Sequence, residues 1–361
     1  MSDQNNLTIV IPTRNRPYLV KNQVKFYNSV RFSFKILYID GSDVEIHEEN
    51  LRNIAAYGQN IDCKIARAKP NEFVNPARRI NEQFRDHLDS IETEFVCQSG
   101  DDDFYLESGI RQQIQRLRER HDLSACGGIY LHVMTRNLAS PNLNSREGHL
   151  SIWPAAHRMS SNAFERIRNN VTTPFNVSYA VKRTKIWKDC FSHFSENEME
   201  SAHIEQLMSA VVLARGKVER IPTISLIRHY HHRNDDSMRL DETYNVFNPD
   251  FERRANLFLD NFRTLFDLYD LDVPKDWRKQ LIIGFRICAL HDTSVQLRRV
   301  TRDWIQSGDK DKIETETKEV LRKYGDSTLI QNIVEFIVDN TLNGLNGQEA
   351  NSFVPGVTRF G

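Results

Sequence analysis

Short apolar runs alternate with longer amphipathic stretches over the first 135 residues of the chain. Runs rich in β-branched residues predict strands, and apolar positions three and four residues apart predict helices. The predicted strands are Leu7–Ile11 (which Pro12 ends), Lys35–Ile39, Cys63–Ala66, Phe95–Gln98 and Cys126–Met134. The predicted helices between them are Tyr18–Tyr27, Glu45–Tyr57, Asn75–Leu88 and Leu106–Arg120. This alternation predicts an α/β fold with a mostly parallel sheet.

The pattern changes in the second half of the chain. It weakens between Asn137 and Arg168, where turn-forming residues indicate a loop region. We expect a strand at Phe175–Val181 and a helix at Ile204–Arg215, which Gly216 ends. Beyond residue 245 the apolar positions have helical spacing, and further helices are predicted at Trp277–Leu290, Lys312–Tyr324 and Thr328–Asn340. We therefore predict an α/β domain at 1–240 and a helical C-terminal region at 241–361.

An aromatic stripe begins that C-terminal region, with side chains at helical spacing. Its members are Phe251, Phe258, Phe262 and Phe266. A stripe of this kind is typical of a helix face that is buried in a core. We therefore expect the region to pack on the α/β domain, where it shapes an acceptor site or a subunit interface.

Charge and cysteine content exclude several classes of protein. Lys and Arg total 48 and Asp and Glu total 49, so the net charge is -1, which argues against a nucleic-acid partner. The five cysteines form no Cys-x-x-Cys pair, which argues against a zinc site or a disulfide framework. The N-terminus shows no secretory pattern, and the apolar stretches are too short to span a membrane. We expect a cytoplasmic protein.

Polar clusters follow three of the predicted strands directly. They are Thr13–Arg14, Asp40–Asp43 and Asp101–Asp103. In open α/β sheets, ligands bind outside the carboxyl ends of the strands, so these clusters predict a common site. Three adjacent carboxylates repel one another unless a cation lies among them, and oxygen ligands favour Mg²⁺ or Mn²⁺. The alternative is a solvated acidic turn that caps the next helix.

Four motifs occur in order along the chain: LTIVIPTRNRP at 7–17, YIDGSD at 38–43, NPARRIN at 75–81 and SGDDD at 99–103. In this respect the chain resembles the family 2 glycosyltransferases of the GT-A fold, over roughly residues 6–230. The resemblance implies a GT-A nucleotide-diphospho-sugar transferase domain, here with an α-helical C-terminal extension.

The resemblance also implies roles for individual residues. Pro12, Thr13 and Arg14 would line the nucleoside pocket, and Asp40 would meet the base. The family has two acids before Gly-Ser, whereas this chain has Asp40 alone and then Asp43 after Ser42, so the roles of Asp40 and Asp43 stay open. Arg78 and Asn81 match the family's Ala-Arg-x-x-Asn helix, whose Arg faces the nucleotide.

Within the acidic motif, Asp103 matches the family's direct metal ligand. Asp101 would assist it at the metal, and Asp101 and Asp102 would both contribute to donor binding. The implied cofactor is therefore Mn²⁺ or Mg²⁺.

Glu205 aligns with the acid that acts as general base in inverting members of the family. Gly216 follows it by eleven residues, as is common there, but Ile204 replaces a first acid. A general base must be ionised near neutral pH and must reach the acceptor hydroxyl. The alternative is that Glu205 is simply part of a polar helix face, and Glu198 and Glu200 are then the next candidates.

A basic cluster begins at Arg228 and contains His229 and His231. In a strand these two histidines lie on the same face, and imidazole can complete a metal coordination sphere. We expect them to contribute to the metal or the donor diphosphate. The alternative is a polar surface loop.

These features predict a metal-dependent, inverting glycosyltransferase that uses a nucleotide-sugar donor, with a UDP-sugar favoured. The expected acceptor is a hydroxyl of a glycan, a lipid-linked glycan or another hydroxyl acceptor, as in polysaccharide biosynthesis. Peripheral membrane association and a homo-oligomer formed through the helical region are further expectations. The alternatives are a nucleotidyltransferase, although Ile11–Arg14 lacks the glycines of that class, and a non-catalytic nucleotide- or glycan-binding scaffold.

Overall fold

The computed structural model describes residues 6–69, 76–135, 149–153, 157–174, 177–192, 201–231, 251–286 and 288–289. The chain divides into two compact units, Met1–Asn234 with Asn256–Phe285 and Asp235–Ala255 with Arg286–Gly361. Within the second unit, Glu252 and Arg286 form an ion pair of 2.8 Å. The boundary that we placed at residue 240 stays a prediction.

The described strands of the first unit form one mixed sheet. Its order is β3-β2-β1-β4-β8-β6-β9-β5, and β7 pairs with β6 at its side. The strands are β1 (Leu7–Thr13), β2 (Lys35–Asp40), β3 (Cys63–Arg67), β4 (Phe95–Gln98), β5 (Phe104–Tyr105), β6 (Leu123–Thr135), β7 (His149–Trp153), β8 (Val181–Arg183) and β9 (Lys217–His231).

Helices follow most of these strands along the chain. They are α1 (Pro17–Ser29), α2 (Val44–Tyr57), α3 (Pro76–Asp86), α4 (Glu107–Glu119), α5 (Ala163–Thr172), α6 (Thr184–Asp189), α7 (Ser201–Arg215) and α8 (Phe251–Leu268), with further helical residues at 277–286. None of the described helices is long and apolar enough to cross a membrane.

The first four strands are parallel, as the sequence predicts. β1 lies between β2 and β4 and pairs in parallel with both. Its residues are nearly all buried, because a central parallel strand is covered on both faces. The strand continues past Pro12 to Thr13, so the end that we predicted at Pro12 is wrong. β4 pairs with β1 only as far as Val10, so the missing N–H of Pro12 leaves no ladder bond unmade on that side.

Two predictions in the middle of the chain are wrong. The expected loop between Asn137 and Arg168 contains β7 and the start of α5. α5 begins after a genuine cap, since the Asn162 side chain accepts a hydrogen bond from the Glu165 N–H at 3.1 Å. The expected strand at Phe175–Val181 is also wrong, because 177–180 form a turn and β8 begins at Val181. The Lys182 ammonium and the Gln98 N–H at the end of β4 donate hydrogen bonds to carbonyls of this turn.

The C-terminal part of the first unit is helical, as predicted. Phe258, Phe262 and Phe266 are buried, which confirms that the aromatic stripe belongs to a core. The His203 ring of α7 stacks on Phe258, with the ring centroids 4.8 Å apart. Helix α8 therefore packs against α7 within this unit from residue 256 onward. The helices predicted at Lys312–Tyr324 and Thr328–Asn340 lie outside the described residues.

A glycine permits the close approach of α4 to β9. A Cβ atom at Gly109 would lie 2.6 Å from the Cα of Ser225, which is shorter than real contacts. Gly109→Ala should therefore lower the free energy of unfolding by about 1–3 kcal/mol, the usual cost of overpacking. Denaturant unfolding would measure this, with the exposed Gln115→Ala of the same helix as control. Equal stability of the two variants would contradict the close packing.

Candidate functional site

The carboxyl ends of β1, β2 and β4 lie at one edge of the sheet, which we call the carboxyl edge. The loop after β1, the loop after β2 and the segment after β4 meet there. We call the last of these, Ser99–Asp103, the acidic turn. Because β1 pairs in parallel with both β2 and β4, the three polar clusters lie at the same edge, as predicted.

Asp101 is the most enclosed carboxylate of the acidic turn. Its side chain is fully buried, and the Thr13 hydroxyl donates a hydrogen bond to it at 2.8 Å. A nitrogen of the Arg16 guanidinium lies 2.7 Å from its other oxygen. Burial raises the pKa of Asp101 to about 7, although Arg16 and the Thr13 hydroxyl act in the opposite direction. The turn is therefore joined to the loop after β1 chiefly through Asp101, and the Asp102 carboxylate also lies 4.0 Å from Arg16.

Asp103 is held in a similar way, but its arginine partner belongs to β9. It is also buried, and its Oδ2 accepts a hydrogen bond from the Gly100 N–H at 3.3 Å. The Nε of Arg228, near the end of β9, lies 3.7 Å from the same oxygen. The Arg228 guanidinium stacks over the ring of Tyr179 at 4.3 Å. Sequence reasoning named the cluster around Arg228 but not this contact.

Gln23 of α1 fixes the backbone of the acidic turn, and sequence reasoning missed it. Its buried amide donates hydrogen bonds to the carbonyl oxygens of Gly100 and Asp103 at 2.9 and 2.5 Å. Its own oxygen accepts a hydrogen bond from the Tyr38 hydroxyl at 2.6 Å. The available signal was a glutamine on the apolar face of α1, among Leu19, Val20, Val24 and Tyr27.

Lys182 of β8 is a second residue that sequence reasoning missed. Its buried ammonium donates to the carbonyls of Val177, Ser178 and Ala180 at 2.5 to 3.0 Å. Burial lowers the pKa of this amine to about 8. These bonds shape the turn that carries Tyr179, and so they support the ring on which Arg228 stacks.

Asp40 is buried at the end of β2, and neighbouring groups already occupy its carboxylate. The Ser42 N–H donates to Oδ1 at 2.8 Å, while Asn50 and His47 bind Oδ2 at 2.9 and 2.8 Å. Burial alone would raise the pKa of Asp40, but these hydrogen bonds outweigh it and hold the pKa below its usual value. The predicted contact of Asp40 with a base would require some of these bonds to break.

The neighbouring loop residues are more accessible. Asn15 and Asp43 are exposed and exchange two hydrogen bonds, of 3.1 and 3.0 Å. Asn15 adopts a left-handed conformation with φ of 53°, and its N–H binds the Ser42 hydroxyl at 2.8 Å. Arg14 is exposed and Pro12 is partly buried. The loops after β1 and β2 are thereby held together, as a pocket formed by both would need.

For several predicted site residues the structure describes the backbone but not the side chain. Asn81 is buried in α3, whereas the side chain of Arg78 lies outside the described residues. His229 and His231 are in β9, opposite Val133 and Thr135 of β6, but their side chains also lie outside the described part. Their predicted roles stay predictions.

Glu205 lies in the first half of α7 and its side chain is exposed. The helix ends at Arg215, just before β9 begins beside the start of β6 at the opposite, amino edge of the sheet. Its first turns are therefore directed toward the carboxyl edge. This placement is compatible with the predicted role of Glu205, which stays a prediction, as do the fallback roles of Glu198 and Glu200 outside the described residues.

The oxygen ligands of the acidic turn suit Mg²⁺ or Mn²⁺ in their chemistry. As they are arranged, however, Asp101 and Asp103 are buried beside guanidinium groups, and only the Asp102 side chain is substantially exposed, at 24%. Within the part of the chain that the structure describes, no three His, Cys, Asp or Glu side chains are grouped to hold a metal ion. The described arrangement therefore does not fit a divalent cation, and the metal at Asp103 and Asp101 stays a prediction.

Comparison with known proteins supports the fold. No family model and no curated protein matches the chain. The crystal structure of S. aureus TarS 1-349 in complex with UDP-GlcNAc is similar, with a TM-score of 0.51 and 14% identity over 97% of this chain and 95% of that one. The crystal structure of S. aureus TarS 1-349 is also similar, with a TM-score of 0.50 and 15% identity over the same shares of the two chains. The likeness shows a GT-A-type fold and confirms the predicted fold class.

Two further solved structures are less similar, with TM-scores below 0.5. A longer structure of S. aureus TarS has a TM-score of 0.46 and 13% identity over 78% of this chain. The present chain spans only 42% of the length of that TarS chain. The mannosyltransferase PcManGT from Pyrobaculum calidifontis in complex with GDP-Man and Mn²⁺ gives 0.45 at 10% identity, over 95% of this chain and 88% of that one. Membership of family 2 stays a prediction.

The hydrogen bonds around Asp40 generate a prediction about pH. Because its folded-state pKa is depressed, the ionised carboxylate stabilises the fold above the ordinary pKa of about 3.9, and this contribution is lost as the pH falls through the folded-state value. Asp40→Asn should cost about 1–3 kcal/mol at pH 7, and the gap from wild type should narrow below about pH 4. Urea unfolding between pH 3 and 7 measures this. The exposed Asp89→Asn is the control, and a gap that does not change with pH would disprove the role of the carboxylate.

Proposed function

We propose that this chain is a glycosyltransferase that moves a sugar from a nucleotide-sugar donor to an acceptor hydroxyl. The observation that carries the proposal is the acidic turn, joined through Asp101 to Thr13 and Arg16 at the carboxyl edge of a GT-A-type sheet. Ligands of open α/β folds bind at that edge. The similar fold of TarS in complex with UDP-GlcNAc supports a UDP-sugar as the first donor to test.

The donor's nucleoside would bind between the loops after β1 and β2, against Pro12, Thr13 and Arg14. Asp40 would orient these loops through its bonds to Ser42 and α2. The diphosphate would then lie over the acidic turn. Arg78 would reach it from α3, and Asp102 presents its carboxylate at the same place.

Glu205 would act as the general base of an inverting transfer. The acceptor oxygen attacks the anomeric carbon as its proton passes to the Glu205 carboxylate. The bond between the anomeric carbon and the diphosphate oxygen breaks, and the nucleoside diphosphate leaves with the electron pair. The Glu205 side chain is exposed, so an acceptor hydroxyl can approach it. No step here depends on a metal, and the donor screen tests the predicted need for Mn²⁺ or Mg²⁺.

The proposed reaction requires an acceptor with a hydroxyl group, and a glycan, a lipid-linked glycan or another hydroxyl acceptor stays the prediction. Polysaccharide biosynthesis, a cytoplasmic location, peripheral membrane association and a homo-oligomer stay predictions.

A donor screen tests the proposed function. The full chain should be stabilised thermally by one nucleoside diphosphate or nucleotide sugar, and it should hydrolyse the matching nucleotide sugar slowly. UDP-GlcNAc, other UDP-sugars and GDP-mannose would be assayed with Mn²⁺ and with a chelator. Binding without turnover on any donor or acceptor would favour the scaffold alternative, and release of pyrophosphate from a nucleoside triphosphate would favour a nucleotidyltransferase.

Replacement of Glu205 tests the mechanism. A general base contributes about 10²–10⁴-fold to the rate, so Glu205→Gln should lower kcat by about that factor while donor affinity is unchanged. Transfer assays and calorimetric donor titration separate the two quantities. Glu119→Gln, exposed at the opposite edge of the sheet, is the control. Transfer by Glu205→Gln at the wild-type rate would place the base elsewhere, with Glu200 and Glu198 next to test.

A further inference from the structure

Two carboxylates of the acidic turn are buried, and the arginine side chains that pair with them are more exposed. The sequence alone would indicate a turn that exposes its carboxylates. Asp101 and Asp103 have side chains that are 0% and 3% exposed. The guanidinium-bearing side chains that pair with them are more open, at 34% for Arg16 and 22% for Arg228. Two positive groups and one carboxylate, that of Asp102, therefore meet the solvent.

Each guanidinium lies beside a buried carboxylate. Arg16 lies 2.7 Å from Asp101, and Arg228 lies 3.7 Å from Asp103 and 4.3 Å from the Tyr179 ring. Asp101 and Asp103 are two residues apart in a turn whose carbonyls Gln23 holds. The two arginines are thus positioned over the same short segment before any ligand arrives, and such preorganisation reduces the entropy lost when an anion binds.

Other arginines of the chain show what a purely structural role looks like. Arg166 and Arg158 are 5% and 9% exposed. Both direct their N–H groups to backbone carbonyls, Arg166 to those of Leu213, Ser160 and Ser161. Arg16 differs because its guanidinium pairs with carboxylates, that of Asp101 at 2.7 Å and that of Asp102 at 4.0 Å, while 34% of its side chain is open to solvent. A guanidinium has five N–H donors in a planar fork that suits phosphate oxygens.

The backbone adds to the positive potential at this place. Arg16 is the residue that precedes α1, whose first residue is Pro17. The amino end of a helix carries a partial positive charge and favours bound anions. This contribution is secondary to the arginines, because Pro17 lacks an N–H.

We propose that Arg16 and Arg228 form a binding site for a diphosphate that functions without a divalent metal. The inference rests on the proposed function, since it names the groups that would hold the donor's diphosphate. The buried aspartates position the guanidinium groups, and the guanidinium groups bind the ligand. A metal, where one binds, adds to this affinity and does not create it.

Calorimetric titration of the full chain with UDP and with inorganic pyrophosphate, in EDTA at low salt, tests the proposal. Wild-type protein should bind UDP in EDTA, and Arg16→Gln and Arg228→Gln should each weaken binding tenfold or more. Arg118→Gln should leave it unchanged, because Arg118 lies beside Glu94 at the amino edge of the sheet, with 3.6 Å between their charged atoms. Added salt should weaken wild-type binding more than that of either site variant.

A double variant distinguishes loss of UDP binding from loss of stability. Arg16→Gln leaves the Asp101 carboxylate buried without its cation, which is destabilising. The double variant Arg16→Gln/Asp101→Asn removes both charges and should recover the melting temperature of the wild type, yet bind UDP in EDTA as weakly as Arg16→Gln. Recovery of UDP binding together with stability would overturn the proposal.

The remaining outcomes separate this proposal from the proposed function. UDP binding that requires Mn²⁺ and is unaffected by either arginine variant overturns the arginine site and leaves the glycosyltransferase proposal intact. Pyrophosphate binding that needs both arginines, with no nucleotide bound in any condition, supports the arginine site and contradicts the proposed nucleotide-sugar donor. Absence of binding by every nucleotide and by pyrophosphate, with and without metal, overturns both.

Discussion

The contact between Asp101 and the loop after β1 is the constraint on which the rest of the site depends. A carboxylate that is fully buried destabilises the fold unless hydrogen bonds or an opposite charge compensate it. Thr13 and Arg16 provide that compensation at 2.8 and 2.7 Å. Because these partners belong to the end of β1 and the start of α1, the carboxylate joins two loops that are 88 positions apart in the chain. Without this contact the polar clusters would share an edge but not a site.

Buried polar side chains then keep the turn and its surroundings in one arrangement. Gln23 satisfies two carbonyls of the acidic turn, and Lys182 satisfies three carbonyls of the turn that carries Tyr179. Unpaired buried carbonyls are costly, so each of these side chains specifies a loop conformation as well as stabilising it. The result is that both arginines approach the acidic turn from defined directions, one from α1 and one from β9.

The sequence predicts the first half of the fold well because there each signal is local. The apolar runs of β1, β2 and β4 mark buried parallel strands, and the polar residues after them mark the carboxyl edge. It fails where long-range partners decide the structure. The pairing of β9 with β6 and the turn at 177–180 depend on contacts that no local pattern reveals. For the same reason the positions of Arg16 and Arg228 beside the acidic motif become visible only once residues from three elements are brought together.

Hydrogen–deuterium exchange of the full chain, with and without UDP, measures most directly whether the carboxyl edge is the nucleotide site. The account predicts that UDP slows exchange in peptides covering 13–20, 99–105 and 225–231, since the loop after β1, the acidic turn and the end of β9 meet the ligand. Peptides at the amino edge, covering 88–94 and 119–123, should exchange at unchanged rates. Protection at the amino edge, with none at the acidic turn, would contradict the account.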